Sequence, residues 1–185
     1  MGYGWAGEKV RLVPLDKEKH LANAVLWLND PDVTAWTLVG DLPISRLAEE
    51  EYFDKSMAGD PGEITLAVET LAGEHIGFTG IHRIDYRHSC ALTGSLIGRK
   101  ELWGHGYGTD LCRVRARYAF DVLGLRLLLS EALAENVASL KMLAKAGCRE
   151  VGRIPARYWK RGAFREAVIL MLDRDSWRAQ SQDMS

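Results

Sequence analysis

Three glycines stand at alternate positions in Trp103-Gly104-His105-Gly106-Tyr107-Gly108-Thr109-Asp110. They lie between an apolar run, Ala91–Ile97, and a helical one, Leu111–Leu123. A strand that opens through such a loop into a helix leaves backbone N–H groups unpaired and convergent at the positive end of the helix dipole. Glycine lets the chain approach an anion closely and take φ > 0 where the turn requires it. The segment therefore predicts a strand–helix–strand crossover with a phosphate cradle at the helix entry. The spacing is neither the G-x-G-x-x-G of dinucleotide folds nor the G-x-x-x-x-G-K-[ST] of a P-loop.

Around that crossover the periodicity predicts the order β-α-α-β-β-β-α-β-α-β-β. Lys9–Val13 reads as a strand, and Asp16 caps a helix that Asp30-Pro31 stops. A second helix starts at Ser45 and ends at Gly59. Ile64–Thr70 and His75–Ile84 alternate as an antiparallel hairpin around Leu71-Ala72-Gly73-Glu74. The loop helix is expected to bury Leu111, Val114, Tyr118, Ala119 and Val122, with Arg113, Arg115 and Arg117 elsewhere on its wheel, before Gly124 ends it. Leu125–Leu133 is nearly all apolar, as a strand covered on both faces should be. Asn136 then starts a helix ending at Gly147, and Val151–Trp159 and Phe164–Asp173 close the sheet around Lys160-Arg161-Gly162. The fold class is α/β (α+β): one domain over residues 8–177, a mixed, mostly antiparallel sheet with one β-α-β crossover, and a disordered tail at 178–185.

With 185 residues a single adequate core is expected, and 47% hydrophobic with 26% charged residues is an ordinary globular balance. A formal net charge of −1 supplies no global field for nucleic acid or anionic lipid. Neither a secretory signal nor a membrane-length apolar window is present in the sequence, so a cytoplasmic protein with no membrane partner is expected. Cys90, Cys112 and Cys148 are odd in number and widely spaced, which predicts reduced thiols and no metal.

The loop matches x-x-G-x-G at Gly104–Gly108, and a second signature follows at Glu135-Asn136-Val137-Ala138-Ser139-Leu140-Lys141-Met142-Leu143-Ala144-Lys145-Ala146-Gly147. Together these resemble the GCN5-related N-acetyltransferase (GNAT) family. The Trp103–Asp110 phrase and Asn136-x-x-Ser139 look most like its ribosomal-protein N-terminal acetyltransferase, RimJ/RimL-like branch. The resemblance, from about Val10 to Leu172, implies the GNAT fold and acetyl-CoA as cosubstrate. It places the pyrophosphate on Trp103, Gly104, His105, Gly106, Tyr107, Gly108 and Thr109. The pantetheine is then an added strand along Leu96, Ile97 and Gly98, with Asn136 facing the gap between parted strands. Arg99 and Lys100 are the nearby cations expected to reach phosphate oxygens.

Many members place a general-acid Tyr seven residues after this Asn, and here that position is Leu143, so Ser139 is the substitute donor to the departing thiolate. Glu166, four residues after Gly162, matches the branch's acidic position and is the candidate base, with His82 and Asp85 as others. The cations Arg153, Arg157, Lys160, Arg161 and Arg165 either attract an acidic acceptor or keep the surface soluble, and Glu49-Glu50-Glu51 reads as a solvated helix face. The implied activity is direct acetyl transfer to a primary amine, either a protein N-terminus or a small molecule. The alternatives are a non-catalytic acyl-CoA sensor and, more weakly, an RNA-binding module. Trp5, Trp27, Trp36, Trp159 and Trp177 lie outside the cradle and suggest a homodimer.

Overall fold

The computed structural model describes residues 5–38 and 41–183, with the side chains of 181–183 left aside. Strands β1 (Trp5–Ala6), β2 (Val10–Pro14), β3 (Ile64–Thr70), β4 (His75–Asp85), β5 (Cys90–Ile97), β6 (Leu127–Leu133), β7 (Arg149–Lys160) and β8 (Ala163–Asp173) form one sheet in the order β1-β2-β3-β4-β5-β6-β8-β7. Every neighbouring pair is antiparallel except β5–β6, the crossover through α4 (Tyr107–Asp121). α1 (Lys17–Leu28), α2 (Pro31–Thr34) and α3 (Arg46–Ala58) precede β3, while α5 (Val137–Lys145) and α6 (Arg174–Asp183) follow β6 and β8. It is a single α+β domain.

Local chemistry sets most boundaries. Asp16 accepts from the Glu18 and Lys19 amides at the start of α1, Ser45 from Ala48 at α3, and Asn136 from Ser139 at α5. Pro31 does more than stop α1: behind the Asp30 cap it opens the short α2, where a missing N–H costs nothing. One sheet face packs Leu12, Val68, Ile76 and Val168 against Leu111 and Val114 of α4 and Leu143 of α5. The other packs Val13 and Ala67 against Leu21 and Ala24 of α1 and Phe53 of α3.

Two expectations fail. Residues 178–183 are helical rather than disordered: Asp173 caps α6 through the Ser176 amide at 2.8 Å, and Trp177 packs on Phe120. With β1 at the other end, the domain extends past both bounds of 8–177, and 184–185 lie outside the described residues. On α4 the wheel is rotated: Val122 is exposed, whereas Phe120 and Arg115 are buried.

Candidate functional site

Pairing between β5 and β6 runs from Cys90↔Leu127 to Thr93↔Ser130 and stops there, although both strands continue. Beyond that point Gly94 and Ser95 are exposed. Strand alternation tells which backbone groups enter the gap. Gly98 N–H donates to Ile76 C=O of β4, so even-numbered β5 residues face β4, whereas Ser89 C=O accepts from Leu127 N–H on the β6 side. Ser95 and Ile97 therefore turn their amides and carbonyls into the gap.

That parity corrects part of the expected cofactor strand. Leu96 pairs with Phe78 and Gly98 with Ile76, so both are ladder partners of β4, and only Ile97 of the expected three faces the gap. Gly98 is glycine for another reason: a Cβ there would collide with the Trp27 indole. Trp103 reaches back so that its Nε1–H donates to Ile97 C=O at 2.9 Å, pinning the cradle loop to the gap.

At the cradle, a 3₁₀ turn at Lys100–Leu102 leads to Gly104 at φ 79° and Gly106 at φ 87°. Gly106 is the N-cap of α4 and offers no capping side chain. The first intrahelical bond runs from Asp110 N–H to Gly106 C=O, so the Tyr107, Gly108 and Thr109 amides point outward at the dipole's positive end. Gly108 has a packing role, since a Cβ would meet Met142 Sδ of α5. His105 is exposed, its Nδ1 2.9 Å from Trp103 C=O. The buried Asp110 carboxylate accepts from Glu8, Lys9 and Val10 amides at 3.2, 2.8 and 3.0 Å. That clamp brings Lys9 Nζ to 5.6 Å from the Tyr107 ring centroid, beside Gly106. Lys9 is the cradle cation that sequence reasoning missed. The expected ones are consumed: Arg99 pairs with Glu74 and Glu101, and Lys100 with Asp30 and Asp32.

Asn136 caps α5 through Oδ1 and donates from Nδ2 to Trp36 C=O at 3.1 Å, tying the segment after α2 to α5. The cap uses the Ser139 N–H at 3.0 Å, not its hydroxyl. Leu143 is buried in the core. Glu166 is not a free base: its Oε1 lies 2.9 Å from Arg153 Nη1, on the face of β8 that carries Val168 and Leu170 inward. Asp85 is held by His88 at 2.7 Å.

His82 is placed differently. Its Nδ1 lies 2.6 Å from Glu63 Oε2, and Glu63 Oε1 accepts from Arg83 N–H at 3.0 Å. Burial pushes the Glu63 carboxyl up, but the Arg83 amide and the His82 ring outweigh it and hold it below its ordinary range. Arg83 has φ 49° at a register shift in the β4–β5 ladder, an unfavourable conformation for a side-chain-bearing residue. The imidazole lies across Gly80, where any Cβ would strike it, with Nε2 toward Gly94 at the mouth of the gap.

The hairpin cations are paired. Arg157 meets Glu131, which also accepts from the Tyr158 hydroxyl; Arg165 meets Glu135, and the buried Lys160 lies 2.7 Å from Asp41. Arg161 donates to Pro31 C=O. Beside that tip is a cavity of about 490 Å³ lined by residues that include Leu28, Thr34, Leu42 and Trp159, within the size range of small-molecule sites. Glu49 is buried in α3 rather than solvated, and burial pushes its carboxyl up. The α4 arginines are also engaged, Arg113 with Lys145 C=O and Arg117 with Ala6 C=O. Burial pushes the Cys148 thiol up to about 11 and Cys112 upward too, so neither is a thiolate at neutral pH. No metal-holding cluster occurs among the described residues, and no helix there is long and apolar enough to cross a membrane.

The parted strands, the uncapped glycine at φ 87° and the outward amides offer the donors and the opening that a pantetheine and a pyrophosphate would use, and comparisons with known proteins identify the family. Residues 9–149 match the family model described as Acetyltransferase (GNAT) domain. An uncharacterized N-acetyltransferase p20 of Bacillus licheniformis is 27% identical over 127 residues, 67% of this chain and 70% of that protein. The spermidine N-acetyltransferase of Vibrio cholerae, solved with CoA and spermine, superposes with TM-score 0.83 at 20% identity, covering 91% of this chain and 98% of that one. A GCN5-related N-acetyltransferase of Brucella melitensis gives TM-score 0.79 at 24% identity, covering 96% of this chain and 81% of that one.

Proposed function

The chain belongs to the GNAT acetyltransferase family and uses acetyl-CoA, and from that premise we propose that it acetylates a primary amine with an uncharged or apolar body by direct transfer within a ternary complex. The observation that carries this reading is the parting of β5 from β6 after Thr93↔Ser130, in line with the uncapped N-terminus of α4.

The residues divide the work. The Tyr107, Gly108 and Thr109 amides hold the pyrophosphate with Lys9 beside them, and Ser95 and Ile97 pair along the pantetheine. Acetyl-CoA supplies a thioester: the amine lone pair forms the C–N bond, the C–S bond breaks with its electron pair going to sulfur, and the amine loses one proton. His82 takes that proton, directly or through one water, since the Glu63 carboxylate fixes Nδ1–H and leaves the lone pair on Nε2. Ser139, on the turn of α5 capped by Asn136, donates a hydrogen bond from its hydroxyl to the departing thiolate in place of the Tyr that Leu143 replaces, and the sulfur takes its proton from solvent. Cys112 is buried and Cys148 half-buried, and both thiols are held protonated, which disfavours a covalent acetyl-enzyme.

For the acceptor, the cavity beside the hairpin tip favours a peptide N-terminus, as in the ribosomal-protein branch, or a small apolar amine. Asp41 is already neutralised by Lys160, and Arg161 adds a cation, so a polyamine finds no acidic pocket there. The working assembly is proposed as a homodimer. Its support has narrowed to the exposed Trp36 and Trp159, because Trp27 is buried, Trp5 packs on Tyr118 and Trp177 on Phe120. Sedimentation distinguishes dimer from monomer.

The test is release of free CoA from acetyl-CoA with a panel of peptides, aromatic and aliphatic amines, and spermidine. Turnover with the first groups and little with spermidine is expected. No turnover with any amine, despite acetyl-CoA binding, would favour the sensor.

A further inference from the structure

Arg115 is 3% exposed in the middle of α4, and none of its polar partners is a carboxylate. Nη1 donates to Thr79 Oγ1, Gly94 C=O and Ser95 Oγ at 3.0, 2.9 and 2.5 Å, Nη2 lies 3.6 Å from Cys112 Sγ, and Nε has no partner among the described residues. A buried cation without an anion is costly to fold around. The other buried Lys or Arg among the described residues, Lys160, meets a carboxylate, that of Asp41. The unpaired one sits behind the strand that edges the gap.

What it touches there is one end of a particular peptide unit. The Gly94–Ser95 peptide presents its C=O to the guanidinium. Its other end, Ser95 N–H, is by alternation the first gap-facing donor on β5 beyond the last β5–β6 pair, Thr93↔Ser130. A cation at the carbonyl draws electron density through the amide and strengthens its N–H as a donor, most of all where water is excluded. The same guanidinium grips Ser95 Oγ and Thr79 Oγ1, so it also fixes the direction in which that N–H points.

We propose that Arg115 is a positioning residue for acyl transfer: its charge, held behind the Gly94–Ser95 peptide, primes Ser95 N–H to receive the negative charge that develops on the thioester oxygen. This rests on the acetyl-CoA reading above. Preorganised positive charge aimed at developing negative charge acts without reorganising at the moment of reaction, and it needs no contact between Arg115 and the substrate.

The test is isotope-edited infrared spectroscopy of the bound thioester carbonyl with [1-¹³C]acetyl-CoA, on the wild type, Arg115→Met and Arg115→Lys. In the wild type the carbonyl band should lie below its position in solution. Arg115→Met should return most of that displacement, and Arg115→Lys should keep part of it. Alongside, Arg115→Met should lower kcat about tenfold to a hundredfold, leave the KM for acetyl-CoA within about threefold, and melt at the same temperature as the wild type or above it. A merely structural arginine would do the reverse, lowering the melting temperature and leaving the band in place. Should the Arg115 variants not fold, Ser95→Pro carries the test, because it deletes an N–H that faces the gap and not a ladder. Loss of the displacement is expected, and an unmoved band overturns the proposal. A wild type that does not bind acetyl-CoA removes the reading and the inference together. One that binds and transfers, with a carbonyl band indifferent to Arg115→Met, removes the inference alone.

Discussion

At the N-terminus of α4 the outward groups are backbone amides without a capping side chain, whereas along the β7–β8 hairpin Arg153, Arg157, Lys160 and Arg165 each end on a carboxylate. Both regions are rich in groups that attract an anion, yet only the first leaves them unspent. A donor consumed inside the fold is part of the fold, and an unspent one, kept open at a cost in capping energy or backbone freedom, marks a place for something else. By that criterion the cradle amides belong to the site and the hairpin cations to the scaffold, while Arg115, whose donors are spent on Thr79, Gly94 and Ser95, stands apart through a buried charge that no carboxylate meets.

Deforming the cradle is the severest test of that contrast. Gly106→Val places a β-branched side chain at φ 87°, in the path of the anion and beside the Lys9 methylenes. Backbone strain of about 1–2 kcal/mol should lower the melting temperature modestly, while CoA affinity should fall at least about 100-fold, close to 2.8 kcal/mol. Calorimetric titration of the folded variant, with Gly106→Ala as the milder companion, decides it; retained affinity would mean the amides do not hold the pyrophosphate. A smaller and different loss is expected of His82→Gln. Its kcat should drop about 100-fold, the low end of general-base contributions, with CoA affinity intact, because the imidazole lies toward Gly94 at the mouth of the gap and makes no contact with the cradle. Unchanged turnover would return His82 and Glu63 to the scaffold.

How much of this was legible in the sequence follows the same division. Gly104, Gly106, Asn136 and Ser45 act through backbone geometry within a few residues, so the loop, the caps and the crossover could be read from local patterns. Ion pairs such as Lys160–Asp41 or Arg153–Glu166 depend on which strands become neighbours, which no local pattern states. Lys9 is brought to the cradle only by the Asp110 clamp across the whole α4–β2 contact. Arg115 was misplaced because a helical wheel sends arginine outward by type, and only the burial of its neighbours Val114 and Ala116 shows that this face turns inward. The polar tail was missed for the converse reason: α6 is held by Trp177 on Phe120 and by the Asp173 cap, not by helix-forming composition.

A third region sharpens the comparison through pH. His75 is wedged among Trp27, Phe78 and His20, with Nε2–H donating to Gly77 C=O and Nδ1 facing Asn23. Burial, aided by repulsion from His20, lowers it to about 4, and burial lowers His20 as well. A histidine held neutral in the fold binds its proton more readily once unfolded, so acid favours the unfolded chain. Both residues leave stability untouched above about pH 6.5 and reduce it as pH falls below that, for His75 down to about 4. The loss for His75 is about 2 kcal/mol over that range, after allowance for partial exposure. Urea titrations at pH 7.5 and 4.5 measure it. A midpoint that does not move would mean the α1–β4 contact opens to solvent, and the closed packing behind Gly98 would have to be withdrawn.

The smallest effect is the one most able to break the contrast. Glu166 has the acidic position expected of a base and sits on a strand next to β6, but its carboxylate is held by Arg153, which grips Glu150 as well, and both members of the pair are partly solvated. A solvated pair of this kind contributes little to stability. Glu166→Gln preserves shape and a hydrogen-bonding oxygen while removing the charge, so stability should change little and kcat by less than about twofold. Steady-state rates at saturating acetyl-CoA and amine measure the second quantity. A fall of about 100-fold with CoA affinity intact would mean the Arg153 contact opens in the ternary complex. Glu166 would then be the base and His82 its bystander, and a consumed charge could no longer be taken as the mark of scaffold.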